Sequence, residues 1–436
     1  MKKLNLLAAL SFLAAFSSGA FALDLGKPLP NWIDHSREKA DGRAPVMART
    51  KAAPPVGFRI PAEYEPAAAV VVGWAGYTDM LSGIARAVTG PGRAQLWAVA
   101  GPSSISGVPA SKYSRVPLRL NTVWMRDYGP FGLSADGTPG IVDTIYRHYQ
   151  YRRDDDAVPT ALGKAKGIEA FAMPIILDGG NLMVDSKGDL FMTKRTYIWN
   201  SGKSESEVNS ALKSYFGVKN IYTFEYAGYP GEPADGTGHI DMFMKLLNDH
   251  IVLIATAETE PFKSNAEKAM AFFQGRKAPD GQMYKIVTVK GWEDNAWFTY
   301  TNSLIVNNVA IIPSYSGHPE GEAAAKAAYE SAGLTVAPVN SDDSIMAGGS
   351  IHCTTQLIPV LPSKAAVDMT DVPEFADIQV KSEIPGTYGD NGPALRSLLS
   401  GPWDTSAGVG GFTSRHQTRA NHFFEAGFDK NGGGQQ

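Results

Sequence analysis

The sequence predicts an α/β protein made of strand–strand–helix–strand units repeated five times around a closed ring. Three observations point there. Five helical segments recur, at Asp79–Val88, Ala157–Lys166, Glu205–Tyr215, Ala266–Gln274 and Gly321–Ala332. Each is followed by a short apolar run of strand character: Gln95–Val99, Pro174–Leu177, Ile221–Tyr226, Lys285–Val289 and Leu334–Val339. Before most helices stands a hairpin pattern, and the resulting unit repeats at about 50–60 residues, a period that suggests radial or solenoid stacking.

The element ends carry their own chemistry. Ser204 and Asn265 are candidate N-caps, and Gly275 and Gly333 are C-terminal stops. Four turns join β-rich runs: Asp136-Gly137, Ser186-Lys187-Gly188, Asn248-Asp249 and Asn307-Asn308. The fifth hairpin is split. Its first strand is the late run Ile351–Val360 and its second the early run Ala68–Trp74, a pairing that closes the ring with the two ends of the chain. Periodicity alone also fits an ordinary open α/β sheet.

Four regions are expected. Lys2 and Lys3 precede the apolar stretch Leu4–Phe16, and Ala20-Phe21-Ala22 supplies a small-x-small cleavage pattern. Residues 1–22 therefore read as a secretory signal peptide cut after Ala22, placing the mature chain outside the cell or in the periplasm. The stretch is short for a spanning helix. Residues 23–57 read as a leader or linker with little core, 58–362 as the catalytic domain, and 363–436 as a partly irregular extension ending in a glycine-rich tail.

The formal charge is −4, and it falls to −6 once the two leader lysines are gone. That balance excludes a basic footprint for nucleic acid. Composition is that of a soluble globular protein, with 44% hydrophobic and 19% charged residues. Cys353 is the sole cysteine, so an internal disulfide is impossible, and the thiol is either reactive or buried and inert.

Polar residues of catalytic type stand at the start of the first hairpin strand of each repeat. They are Asp127 in Trp124-Met125-Arg126-Asp127, Asp178 in Asp178-Gly179-Gly180-Asn181, His239 with Asp241, Asn302, and Cys353. A ring would aim all five starts at one axis. His239 and Asp241 are two apart, so a strand would place both on one face and Ile240 on the other. Glycines near Cys353 permit close approach of a ligand, and a nearby positive group would lower the thiol pKa. Asp127 and Asp241 would offer paired acceptors to a planar cation such as a guanidinium. A Cys–His couple also fits a cysteine protease, but the papain-type local sequence is missing. The histidines are scattered, with no His-x-His or Cys-x-x-Cys pair, so neither metal nor cofactor is expected.

In order, Trp124–Asp127, Asp178–Asn181, Gly238-His239-Ile240-Asp241 and Gly348-Gly349-Ser350-Ile351-His352-Cys353 resemble the signatures of the agmatine deiminase and bacterial peptidylarginine deiminase family. Pro61-Ala62-Glu63-Tyr64-Glu65-Pro66 resembles its N-terminal start. The resemblance implies a five-bladed ββαβ propeller of the pentein type. It implies Cys353 as nucleophile, His239 as general acid/base, Asp127 and Asp241 as guanidinium holders, Asn302 as an active-site asparagine and Trp124 as a lining residue. Asp178 and Asn181 are placed with the substrate contacts. Two positions depart from the agmatine deiminase pattern, with Ser350 for asparagine and Asp178 for glutamate.

The expected activity is hydrolysis of peptidyl arginine with a free C-terminus to citrulline and ammonia. Arg152 and Arg153 are the expected partners of the substrate carboxylate, and the competing reading is that they only neutralise Asp154-Asp155-Asp156. The alternatives are an agmatine deiminase giving N-carbamoylputrescine and an exported binding module without catalysis. Expected partners are arginine peptides or small guanidines, with no nucleic acid and no membrane span in the mature chain.

Overall fold

A computed structural model of the chain describes residues 27–49, 52–229 and 232–360. The expected signal peptide and all of the expected C-terminal extension lie outside the described residues. Among the described residues, five sheets of three or four strands carry the fold, and each holds an antiparallel pair continued by a parallel strand brought back by a helix.

The first unit holds β1 (Ala67–Gly73), α1 (Thr78–Thr89), β2 (Gln95–Val99) and an added strand β3 (Tyr113–Val116). The second holds β4 (Phe131–Ala135), β5 (Thr138–Ile145), α2 (Val158–Lys166) and β6 (Glu169–Ile176). The third holds β7 (Met183–Val184), β8 (Asp189–Thr193), α3 (Glu205–Phe216) and β9 (Asn220–Phe224). The fourth holds β10 (Met244–Leu246), β11 (Ile251–Thr256), α4 (Phe262–Phe273) and β12 (Lys285–Lys290). The fifth holds β13 (Leu304–Val306), β14 (Val309–Ser314), α5 (Pro319–Glu330) and β15 (Thr335–Asn340). The last strand, β16 (Thr355–Pro359), returns to pair antiparallel with β1, as the split hairpin predicts.

Local chemistry accounts for these elements. Asp136 and Gly137 both have positive φ, as do Asn307 and Asn308, which suits a two-residue hairpin turn whose twist matches its strands. Ser204 and Glu207 form a reciprocal capping box on α3, where the Ser204 N–H donates to Glu207 Oε2 at 2.7 Å. On α1, Leu81, Ile84, Ala85 and Val88 recur at helical spacing and are fully buried. The second strands β11 and β14 are apolar on both faces because sheet and helix enclose them.

Two element ends differ from expectation. Asn265 is not a cap but a buried residue inside α4, which begins at Phe262. Phe262 stacks on Trp297 at 3.9 Å between ring centroids, and that packing outweighs the capping preference of Asn265. The run expected at Pro174–Leu177 is the end of a longer strand, β6. Pro174 lies where the register with β5 shifts, on an edge strand, where its missing N–H costs no ladder bond.

The segment expected to be a leader with little core is instead packed against the domain over residues 27–49. Pro30, Asn31, Ile33, Glu38 and Met47 within 27–49 are buried. Arg152 is the reason. Its guanidinium is fully enclosed, with Nε donating to Glu38 Oε1 at 2.7 Å and Nη2 donating to the carbonyls of Pro30 at 2.9 Å and Trp32 at 2.6 Å. Farther along, Val46 N–H donates to Asp156 Oδ2 and Ala48 N–H to Asp143 Oδ2.

Breaking a buried pair leaves an uncompensated charge. Arg152→Met is accordingly expected to lower unfolding stability by about 3–5 kcal/mol, because Glu38 loses its partner. Urea denaturation checks this, and an unchanged midpoint would show that Arg152 does not hold the segment.

Candidate active site

The residues expected at one axis do meet, although their local structure is not always the expected one. Asp127 sits in a single helical turn, Met125–Tyr128, at the head of β4. Its Oδ1 accepts the Gly180 N–H at 3.2 Å and lies 3.6 Å from His239 Nδ1. His239 and Asp241 are not on a strand. His239 is extended and leads into a 3-10 turn, Ile240–Met242, while Ile240 is buried in the apolar cluster around Phe191 and Phe243. The turn still delivers both side chains to one place.

Gly180 marks that place. A Cβ there would lie 2.4 Å from His239 Nδ1, 2.9 Å from Asp127 Oδ1 and 3.2 Å from Asp241 Oδ2. Only a glycine allows these three groups to close on the backbone.

Asn302, just before β13, organises the nucleophile. Its Nδ2 donates to Cys353 Sγ and to Asp241 Oδ2, each at 3.1 Å. Its Oδ1 accepts the Ser350 N–H at 3.0 Å and the Cys353 N–H at 3.3 Å. Cys353 lies in the 3-10 turn His352–Thr354, with Sγ 3.8 Å from Asp241 Oδ2. Gly349 separates this thiol from Trp124. A Cβ at Gly349 would be 2.7 Å from both Trp124 Cζ3 and Cys353 Cβ. Trp124 is fully buried, and its Nε1–H donates to the Leu29 carbonyl at 3.0 Å.

Three of the residues expected to touch substrate do not line the site. Asn181 spends its side chain on structure: Oδ1 accepts from Thr193 N–H and Ile240 N–H, while Nδ2 donates to Thr193 O and Thr196 Oγ1. Its amide is fully used in joining the turns that head the third and fourth units. Arg152 is occupied by Glu38 and two carbonyls, as above. Arg153 is half-exposed and donates to the carbonyls of Arg43 and Ala44. The competing reading of a surface pairing with Asp154–Asp156 also fails, because Asp155 and Asp156 are buried and accept N–H groups from Asn121, Thr122, Val46 and Tyr146.

The arginine that reaches the site is Arg147, at the end of β5. Its Nε lies 2.9 Å from Asp178 Oδ2, and that same oxygen is 3.3 Å from His239 Nε2. Asp178 is thus an anchor for Arg147 and His239. Trp199 stands between two arginines, with Arg147 and Arg195 each 5.2 Å from its ring, and meets His239 edge-on at 5.8 Å. Neither Arg147 nor Arg195 belongs to a quoted motif, and only the fold brings them here.

Behind the site, His352 Nδ1 is 2.6 Å from Asp241 Oδ2 and Nε2 is 2.7 Å from Glu63 Oε2. Glu63 also pairs with Lys245 and with Arg126. Both Glu63 and His352 lay inside the motifs read from the sequence, but nothing in spacing alone ties residue 63 to residue 352.

Charge explains the titration of these groups. Burial, together with Asp178 and Asp241, pushes the Asp127 carboxyl up to about 7 against the pull of His239. Burial would lower the His239 imidazole, but Asp127, Asp178 and Asp241 outweigh it and raise its pKa. Burial would raise Asp178, but Arg147 and His239 hold it below its usual range. Burial drives the Cys353 thiol well above its ordinary value, with Asp241 and Asp127 adding to the shift. The site therefore sets a protonated thiol beside carboxylates, an arrangement that suits a cationic ligand. Asp127, Asp178 and His239 come within metal-ligand distance of one another. A metal ion there would have to displace or tolerate the Arg147 guanidinium already set against Asp178.

The model of the Porphyromonas-type peptidyl-arginine deiminase family matches residues 59–359. The agmatine deiminase of Pseudomonas aeruginosa (strain LESB58) is 24% identical over 361 residues, which cover 71% of this chain and 97% of that protein. Among solved structures, a candidate arginine deiminase from Porphyromonas gingivalis aligns at TM-score 0.59 and 23% identity over 69% of this chain and 98% of its own. The agmatine deiminase of Enterococcus faecalis aligns at TM-score 0.61 and 19% identity over 70% and 96%. At these identities the structural likeness speaks for a shared mixed α/β fold alone, while the family match spans most of the chain. The chain belongs to the Porphyromonas-type peptidyl-arginine deiminase family and is a guanidine-modifying hydrolase that acts on C–N bonds.

Proposed function

We propose that the enzyme hydrolyses a small cationic guanidine, with agmatine as the reference substrate, to a ureido product and ammonia. The observation that carries this reading is the enclosed set of Asp127, Asp241 and Cys353, two carboxylates and a thiol, with the His239 imidazole beside them. Curated relatives named agmatine deiminase support the small substrate.

In this reading the guanidinium binds between Asp127 and Asp241, and its charge lowers the Cys353 pKa, so that the thiol gives its proton to solvent and the thiolate forms as the substrate arrives. Sγ attacks the central carbon, and the two carboxylates stabilise the charge kept in the tetrahedral adduct. His239 is held protonated by its three acidic neighbours and gives a proton to the departing amine, which leaves as ammonia. Neutral His239 then takes a proton from water, which attacks the thiouronium carbon and releases Cys353 as the product forms. Asn302 keeps Sγ and the Cys353 backbone in register through its four contacts. We further infer that the β16–β1 pairing closes the five units as a five-bladed propeller, which supports convergence of the first-strand starts.

The test is ammonia release from agmatine, free arginine, a C-terminal arginine peptide and an internal arginine peptide. Agmatine is expected to have the highest kcat/KM, and failure to turn over any of the four would sink the reading. A second reading, of C-terminal arginine as substrate, has one observation in its favour: Arg147 brings a guanidinium to the Asp178 side of the site, where a substrate carboxylate could pair with it. A higher kcat/KM for the peptide acid than for its amide, lost in Arg147→Ala, would select it over agmatine.

The acid limb of the pH profile follows from Asp127. A carboxyl raised to about 7 must ionise to receive the cation. Plots of kcat/KM against pH are expected to fall about tenfold per unit below that value, since kcat/KM reports the free enzyme. The same shift has a stability sign. The folded pKa exceeds the unfolded one, so the contribution is fully present below the ordinary carboxyl pKa and is lost as pH rises through 7. A flat kcat/KM from pH 5 to 8 would remove Asp127 from cation binding.

We propose that residues 1–22 direct export and that the mature chain, starting near Leu23, keeps the packed 27–49 segment. N-terminal sequencing of exported protein checks this, and an intact Met1 would contradict it. Among the described residues no helix is long and apolar enough to cross a membrane.

A further inference from the structure

The segment 28–38 precedes the residues that match the family and crosses the end of the molecule where the catalytic turns lie. It touches four separate loops there. Pro28 packs over Gly76, where a Cβ would lie 2.2 Å from Pro28 Cγ. The Leu29 carbonyl takes the Trp124 Nε1–H, and the Asn31 carbonyl faces His148 Nε2 at 3.2 Å. Asn31 N–H donates to Ala347 O at 2.8 Å, and its Nδ2 reaches Gly348 O at 3.4 Å. The Trp32 ring lies over Gly348, 3.1 Å from where a Cβ would be. Behind it, Arg152 holds the Pro30 and Trp32 carbonyls and Glu38.

Those loops flank the nucleophile. Trp124 and Gly349 are its immediate neighbours, and Cys353, His239, Asp127 and Asp241 are all fully buried beneath them. Chain at this position would compete for space with the backbone on both sides of an internal arginine, whereas a free small guanidine needs no such space. One buried ion pair, Arg152–Glu38, and a few backbone hydrogen bonds hold the segment, a set whose local opening would cost less than global unfolding.

We propose that residues 28–38 form a built-in cover over the catalytic chamber that sets its specificity, admitting small guanidines and excluding arginine within a polypeptide. The cover's turnover effect rests on the guanidine-hydrolase reading. Its effect on access does not, because Cys353 is the sole thiol in the chain and reports access directly.

The experiment uses the full chain as wild type, Glu38→Ala and Trp32→Ala. The second variant leaves the Arg152–Glu38 pair intact and serves if the first does not fold. Trypsin cleavage after Arg37 or Lys39 verifies that the segment has loosened. Cys353 is then labelled under native conditions with iodoacetamide and with a fluorescein maleimide, and the bulky-to-small rate ratio cancels the acidity of the thiol itself. The ratio is expected to rise about tenfold or more in a loosened variant, with a similar rise in kcat/KM for an internal arginine peptide relative to agmatine. An unchanged labelling ratio in a variant with verified loosening overturns the cover. A raised labelling ratio with no guanidine turnover in any variant overturns the function reading and leaves the cover standing. A raised labelling ratio with unchanged peptide selectivity overturns the specificity role.

Discussion

Cys353→Ser is expected to lower kcat for a small guanidine by roughly 10⁴- to 10⁶-fold, the range seen when a covalent nucleophile is removed. The geometry gives no rescue. Asn302 Nδ2 would still donate to the side chain at this position, and Asp241 would still stand 3.8 Å away, but neither is a base placed to ionise a hydroxyl. A bound guanidinium can bring a thiol into its ionising range, whereas a serine hydroxyl starts several units higher and stays protonated. Single-turnover ammonia release measures the loss, and a circular dichroism melt shows whether the fold survives. Turnover within about tenfold of wild type would show that the covalent step does not run through residue 353.

Asp241→Asn is expected to move two readouts in opposite directions. Removing one partner of a buried charge pair costs about 2–5 kcal/mol, which corresponds to roughly 30- to 5,000-fold in kcat/KM for a cationic substrate. The same change takes an anion away from the thiol, whose pKa Asp241 helps to raise. Less negative surroundings mean more thiolate at a given pH. Iodoacetamide labelling of the substrate-free variant at pH 8 should therefore be faster than wild type, by about tenfold for each pKa unit recovered. Slower turnover with unchanged labelling would mean that Asp241 acts on substrate without setting the thiol's acidity. Slower labelling would contradict the charge argument altogether. His352 is part of the same account, because its Nδ1 lies 2.6 Å from Asp241 Oδ2 and orients the carboxylate.

Much of this protein was written in local sequence. The turns Asp136-Gly137 and Asn307-Asn308, the Ser204 capping box and the apolar second strands each depend on residues within a few positions of one another. Such signals survive in one dimension, and they were enough to count five units and to pair the late strand Thr355–Pro359 with the early strand Ala67–Gly73. The candidate nucleophile, histidine and carboxylates were legible for a related reason. Each stands near a glycine or just before a strand in its own unit, so a repeated local pattern is enough to single them out.

Partnership between distant side chains was not legible. Arg152 and Arg153 had the right charge and the right neighbourhood in sequence to hold a substrate carboxylate, yet Arg152 is consumed by Glu38, 114 positions earlier, and Arg147 takes the place beside Asp178. Asn181 looked like a site residue and is a structural strut. The 27–49 segment looked like linker because it is rich in proline and charge. Its burial depends on donors from residues 124 and 152 and on a charge partner that only the folded chain supplies. Sequence by itself determined the repeat, its turns and the chemical types at the head of each unit, since backbone propensity and hydrophobic period act over a few residues. Tertiary structure alone decided which charges are already spent, which one faces the site, and what lies over it, because a buried ion pair is settled by distance in space and not along the chain.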